Sequence, residues 1–416
     1  MPKGFFYLIS AQFASGLADN ALLILGIALL SEQGYPGWWA PLLKFSFTLS
    51  YVFLAPLMGP LADAFSKARL MSSMNALKVV GVAFIFTNIH PMVAFALVGM
   101  AASAYAPAKY GLVTETVPAA QLVKANGWLE VTVVVSVILG TACGGLLVAS
   151  GSFEFMKLFN QALIDTFHLP IQSQYIAPLL SLILIYLIAA LLNFGIPHVD
   201  VRYVQQSMKP VALFKNFFQS NQILWKDPIG QISLAVTTLF WGIGAVVQFA
   251  VLLWAKEMLN MPLEKSSLLQ AIVAMGVIFG AAMAGRWVAL SKAYKVLPLG
   301  LWLGISLPLL AFSSSLWTAI PLMVMTGFAG GLLMVPMNAL LQSRGYELLT
   351  AGRSIAVQGF NENASVMVML GIYTSMLALS CPLQWVMTFM GLGMTLGILY
   401  LMRMASSKTD STCSAI

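Results

Sequence analysis

Asp19 and Asn20 stand near the middle of an apolar run from about Phe5 to Leu30, in the stretch SGLADNALL. About 20 residues at 1.5 Å each cover a hydrocarbon core of roughly 30 Å, so the run is long enough to cross a bilayer. A charge at that depth costs about 2.5 to 3.5 kcal/mol on insertion scales and by default marks a functional group. A carboxylate placed there can hold a cation, a proton, or the hydrogen-bond donors of a polar solute. Helical spacing gathers companions for it: Gln12, Ser15, Gly16 and Asp19 follow i, i+3, i+4, i+7, one polar or small stripe on a Leu- and Ile-rich helix. Further along, Asn75 sits one turn before Lys78, Thr237, Trp241, Gly244 and Gln248 share a helical stripe, and Gln358, Asn361 and Glu362 cluster. Lys78 and Lys109 are candidate partners for an anionic group such as phosphate, although Lys78 could equally snorkel to the membrane surface.

The elements that must position these residues follow from composition. Of 416 residues, 60% are hydrophobic and 8% charged, with a mean hydropathy of +0.88; soluble domains carry about 25% charged residues. The chain therefore reads as an all-α, polytopic membrane protein with no separate soluble domain. Apolar stretches between turn-like breaks predict twelve transmembrane helices, at roughly 5–30, 41–62, 70–89, 91–112, 121–149, 173–196, 228–255, 265–288, 295–314, 316–341, 353–379 and 383–404. The polar gap at 197–227 divides them into two six-helix bundles, 1–196 and 228–404, joined by a cytoplasmic linker and followed by a polar tail at 405–416.

Basic residues set the orientation. With both termini cytoplasmic, only Lys44, Lys157, Lys256 and Lys265 of the 21 lysines and arginines fall on the far side, as the positive-inside rule requires. The net charge of +7 is accounted for by topology and by anionic lipid, and gives no case for nucleic acid. Aromatic residues in GYPGWWAP and at Trp254 fit an interfacial belt. Cys143, Cys381 and Cys413 form no metal or redox spacing.

The halves resemble each other at a constant offset of 229 residues, which relates Pro107 to Pro336, Lys124 to Arg353, and Asp19 to Gln248. A duplicated six-helix unit is a layout of secondary transporters. Between the second and third spans, GPLADAFSKAR places Gly59 for close helix approach, Asp63 to cap a turn or pair with a base, and Lys67 and Arg69 as cytoplasmic charge. Lys124 and Arg353, at helix starts, read as topology or gate residues, and Glu130 as a partner for Lys124 or Lys109. The Gly-rich stretches GTACGG, GFAGG and GAAMAG suit close packing and sliding alike.

The Gly59–Arg69 loop resembles the loop motif of the major facilitator superfamily. AQFASGLADNALL, APLMGPLADAFSKARLM, NALKVVG, SAYAPAKYG, LVKANG, LFWG, VPMNALLQ and IAVQGFNEN together resemble the bacterial lysophospholipid transporter family over most of the chain. That resemblance implies import of lysophospholipid such as lysophosphatidylethanolamine at the inner membrane of a Gram-negative bacterium, for reacylation by a partner acyltransferase/acyl-carrier-protein synthetase. It implies Asp19 and Asn20 at the headgroup, with Gln248 opposite. One departure stands out: the family carries an arginine in the seventh span where this chain has Gln248.

Lipid chemistry by catalysis is not expected. None of the three histidines starts a His-x4-Asp motif, and no phosphate loop, H-E-x-x-H or G-x-S-x-G is present. No cofactor and no metal are expected, and a monomer is. The competing reading within transport is a proton-coupled exporter of drugs or other amphiphiles, with Asp19 as the titrating site.

Overall fold

The computed structural model describes residues 3–35, 39–87, 89–150, 154–167, 175–197, 203, 209–261 and 263–413. Trp38 and Arg202 lie outside them, as do the side chains of Lys157, Lys265 and Cys413. The described residues form helices and no strand: α1 Lys3–Glu32, α2 Trp39–Phe53, α3 Ala55–Ala64, α4 Lys67–Phe86, α5 Pro91–Thr116, α6 Leu122–Ser150, α7 Glu154–Phe167, α8 Ile176–Phe194, α9 Pro210–Lys226, α10 Pro228–Leu259, α11 Leu263–Trp287, α12 Leu299–Ala311, α13 Leu316–Leu348, α14 Ala351–Ala378 and α15 Leu383–Cys413.

Ten helices among the described residues are long and apolar enough to cross a membrane, or eleven if α2 and α3 are one span bent by 66°. The single span expected at 41–62 is thus broken at Leu54, where Pro56 in the first turn of α3 lacks the N–H that would continue the α2 ladder. The helix expected at 353–379 forms as α14 but is not among the ten, because Arg353, Gln358, Asn361, Glu362 and Asn363 crowd its first half. The gap at 197–227 contains a helix of its own, α9. At 32 and 33 residues, α10 and α13 are about 48 to 50 Å long at 1.5 Å per residue, longer than the hydrocarbon core they would cross.

Helix ends are chemically marked. Asp227 caps α10, its carboxylate accepting from the Ile229 and Gly230 amides at 3.1 and 2.9 Å, with Pro228 at the first helical position where a missing N–H costs nothing. Asn260 ends the same helix in the left-handed region at φ 49°.

Packing separates two compact units. The first contains Met1–Thr116, Val135–Phe217 and Ala351–Ala356; the second contains Val117–Val134, Phe218–Thr350 and Val357–Ile416. The first has a core of Leu22, Leu25, Leu43, Val82, Phe95, Leu179 and Leu182. The second is built around Trp254, Leu297, Leu307, Leu333 and Met387. Trp254 does not face the headgroup layer: it is fully buried and its indole N–H donates to the Ser313 carbonyl at 3.1 Å. An indole satisfied inside a core has no need of the headgroup layer.

In the second unit, Gly276 and Gly280 of α11 meet the backbone of α13 at Val324 and Phe328, and Gly327 and Gly331 of α13 meet α11 at Val273 and Val277. In the first, Gly140 and Gly144 of α6 lie against Leu17 and Ala21 of α1, whereas Gly145 has open space around it. These glycines bring backbones together, the packing expected between helices in lipid.

Candidate functional site

Four helices of the first unit, α1, α4, α5 and α8, aim polar side chains at one place. Lys78 Nζ lies 2.8 and 2.7 Å from the two oxygens of Asp19 and donates to Ser15 Oγ at 2.9 Å. Those contacts use all three ammonium donors. Ser15 passes its own hydrogen to Asn75 Oδ1 at 2.8 Å, and the Tyr186 hydroxyl donates to Asp19 Oδ1 at 2.7 Å. The rings of Tyr105 and Tyr186 each stand 5.5 Å from Nζ, within cation–π range.

A buried ion pair survives only when further hydrogen bonds satisfy both partners, and this one has them. Its exposure is one-sided: the Lys78 side chain is 2% exposed and that of Asp19 is 20%. The carboxylate is the open face of the pair and the ammonium its sealed support. Lys78 therefore does not snorkel; its ammonium is held by Asp19 inside the unit.

Close by, Lys109 donates to Gln12 Oε1 at 3.0 Å and lies 4.2 Å from the centre of the Tyr110 ring. Asn20 turns its amide back to the Gly16 carbonyl at 2.7 Å, so it does not join the Lys78 cluster. Sequence reading missed Tyr105, Tyr186 and Asn193. Tyr105 and Asn193 are buried, and the Tyr105 hydroxyl stands beside the side chains of Asn193 and Asn75. The available signal was a lone tyrosine and a lone asparagine in the otherwise apolar α8.

The second unit carries a separate polar set. Gln358 Nε2 donates to Asn338 Oδ1 and to Glu362 Oε1, both at 2.8 Å, and Glu130 lies within electrostatic range of Glu362. Asn361 donates to Asn221 Oδ1 at 2.7 Å and accepts from the Trp225 indole at 3.1 Å. Gln248 is exposed, and its backbone carbonyl accepts from Gln270 Nε2 at 3.1 Å. Trp241 and Gly244 share that exposed face, whereas Thr237 is buried and bonded to the Leu234 carbonyl at 3.1 Å.

The loop motif is built in the first unit. Asp63 Oδ1 accepts from the Gly352 amide at 3.0 Å and so caps α14. Lys67 lies 2.7 Å from Glu115 and 3.9 Å from Asp63, and the Tyr203 hydroxyl donates to Glu115 at 2.6 Å. Glu115 was not singled out from the sequence, since a lone acid at a helix end has no motif. Arg69 is exposed. The repeat-related Lys124 and Arg353 are built alike: each is the third residue of its helix, and each presents its Cα to a glycine. A Cβ on Gly59 would stand 2.9 Å from the Arg353 Cα, and one on Gly285 would stand 3.4 Å from that of Lys124.

Comparison with known proteins identifies the family of the chain. The Major Facilitator Superfamily matches residues 8–360. The lysophospholipid transporter LplT of Yersinia pestis (strain Pestoides F) is 36% identical over 375 residues, covering 90% of this chain and 87% of that protein. The same figures hold for LplT of Yersinia pseudotuberculosis serotype O:3 (strain YPIII). Among solved structures, the human organic anion transporter MFSD10 aligns with a TM-score of 0.74 at 12% identity, over 97% of this chain and all of that one. The Escherichia coli fucose:proton symporter FucP aligns with a TM-score of 0.73 at 12% identity, over 96% and 97%.

Proposed function

We propose that this chain, which belongs to the major facilitator superfamily and within it to the lysophospholipid transporter family, moves lysophospholipids such as lysophosphatidylethanolamine across the bacterial inner membrane to the cytoplasmic leaflet. There a partner acyltransferase/acyl-carrier-protein synthetase reacylates them. With the polar α14 counted beside the ten spans and the bent α2–α3 pair, the chain crosses twelve times in this reading, and the positive-inside rule favours both termini in the cytoplasm. The protein works as a monomer.

The observation that carries this reading is the Asp19 carboxylate, 20% exposed, held on a Lys78 side chain only 2% exposed beside an apolar core. A lysophospholipid has a polar headgroup that must exchange water for protein partners, and an acyl chain that can stay in apolar surroundings. Asp19, oriented by Lys78 and Tyr186, presents an acceptor surface to the hydrogen-bond donors or ammonium of such a headgroup. Lys78 is the counterion that makes the buried carboxylate affordable, not a phosphate ligand. Lys109, with Gln12 and the Tyr110 ring around it, is the phosphate candidate, and Gln358, Asn361 and Glu362 remain candidates for polar contact.

Uptake of radiolabelled lysophosphatidylethanolamine into cells lacking their own transporter tests this. Wild type is expected to take it up, Asp19→Ala to lose uptake at equal expression, and Gln248→Arg to shift headgroup preference. No uptake by well-expressed wild type would reject the lipid reading in favour of another amphiphile.

A further inference from the structure

Helix α9, 17 residues long, is not among the helices long and apolar enough to cross a membrane, yet it exposes apolar surface. Between Pro210 and Lys226 its residues fall into three sectors. Leu213, Phe217, Ser220 and Leu224 are buried, the face by which the helix rests on the protein. Val211, Phe214 and Phe218, at i, i+3 and i+7, are 82%, 52% and 55% exposed. Lys215, Gln219, Gln222 and Lys226 form the adjoining exposed sector, with Ile223, 42% exposed, on its far border. No acidic residue occurs between Pro210 and Lys226.

The level of α9 is also set. Only Asp227 separates Lys226 from Pro228, the first residue of the spanning α10, so the end of α9 is tied to the end of a spanning helix. The same end is held in the second unit, where Asn221 and Trp225 both hydrogen bond to Asn361 of α14. A helix resting on protein by one face, apolar along a second and cationic along a third has the form of an interfacial helix, whose apolar edge sinks about 5 to 10 Å to the headgroup/acyl boundary.

The structure assigns to α9 an anionic lipid surface as its partner: Val211, Phe214 and Phe218 enter the acyl boundary of the leaflet while Lys215 and Lys226 engage the headgroup phosphates. Charge complementarity selects this occupant over a neutral leaflet, because a basic residue at an anionic surface contributes about fivefold in binding, roughly 1 kcal/mol. Nothing in this inference depends on which solute the protein carries.

The test uses the full chain with Cys143, Cys381 and Cys413 replaced by alanine and a single Phe214→Cys carrying an environment-sensitive fluorophore. The protein is reconstituted in phosphatidylcholine vesicles with and without phosphatidylglycerol, and quenching by acyl-chain spin-labelled lipid is recorded. Blue-shifted emission with strong quenching in phosphatidylglycerol vesicles is expected, with the docked-to-undocked ratio falling about fivefold for each of Lys215→Gln and Lys226→Gln. Water-like emission would overturn the proposal, as would a blue shift without lipid quenching, which means cover by protein. Quenching indifferent to phosphatidylglycerol and to both lysines would overturn the anionic partner. Because the readout is depth and not transport, it stands or falls apart from the lysophospholipid reading.

Discussion

Lys78 and Asp19, 59 residues apart in the chain, form a buried ion pair in which the ammonium reaches both carboxylate oxygens at 2.7 to 2.8 Å. Removing one partner of such a pair leaves an uncompensated buried charge, at a cost of about 3 to 5 kcal/mol. Lys78→Met should therefore lower thermal stability markedly, and Asp19→Asn with Lys78→Met should recover most of it while leaving transport lost. A Lys78→Met protein as stable as wild type would show that the pair does not hold the unit together.

Tyr186 supplies the other hydrogen bond to Asp19. Tyr186→Phe keeps the ring beside Lys78 and removes only the hydroxyl, so the expected loss is that of one hydrogen bond to a charged group, about 1.5 to 3 kcal/mol. Thermal unfolding of the two proteins, paired with uptake rates, measures it.

Lys67 is closer to Glu115 than to Asp63, by 2.7 against 3.9 Å. A double-mutant cycle should accordingly find stronger coupling between Lys67 and Glu115 than between Lys67 and Asp63. Asp63→Ala should instead act through the start of α14, removing a cap worth about 1 kcal/mol. Equal couplings would contradict the geometry.

Neighbouring glycines should differ. Gly144→Val drives a side chain into α1, where even a Cβ would stand 2.9 Å from Ala21, while Gly145→Val meets open space. Overpacking of about 1 to 3 kcal/mol is expected for the first and none for the second, read as folded yield and melting temperature.

Asp227 lies outside the spans. Burial pushes its carboxyl up, but hydrogen bonds from Arg344 and from the Gly230 and Ile229 amides outweigh that and hold it below the usual carboxylate range. A carboxyl lowered on folding stabilises above its unfolded value, and that contribution is lost as pH falls through the folded one. Asp227→Asn should thus be less stable than wild type at neutral pH, with the gap closing in acid. A gap independent of pH would show that the ionisation of Asp227 does not contribute to stability.

Much of the architecture was legible because spans and caps are local. Apolar runs, the Asp227–Pro228 helix start and the carboxylate inside the first span are all readable within a window of about 20 residues. The misreadings came where a local signal had two meanings. Trp254 has the composition of an interfacial residue but is buried and finds a carbonyl partner 59 residues away, and the run at 41–62 reads as one apolar span but is bent by 66° between α2 and α3.

By itself the sequence determined that this chain is a helical membrane protein with a polar stripe along its first span, because hydropathy and periodicity act residue by residue along one helix. It also held every residue of the site. Only the tertiary structure decided who pairs with whom. Asp19 faces Lys78 from α4 and Tyr186 from α8, at separations of 59 and 167 residues. It is helix packing that turns Lys78 from a surface-seeking cation into the counterion of a membrane-buried acid, and no spacing along the chain encodes which of several helices will present the partner.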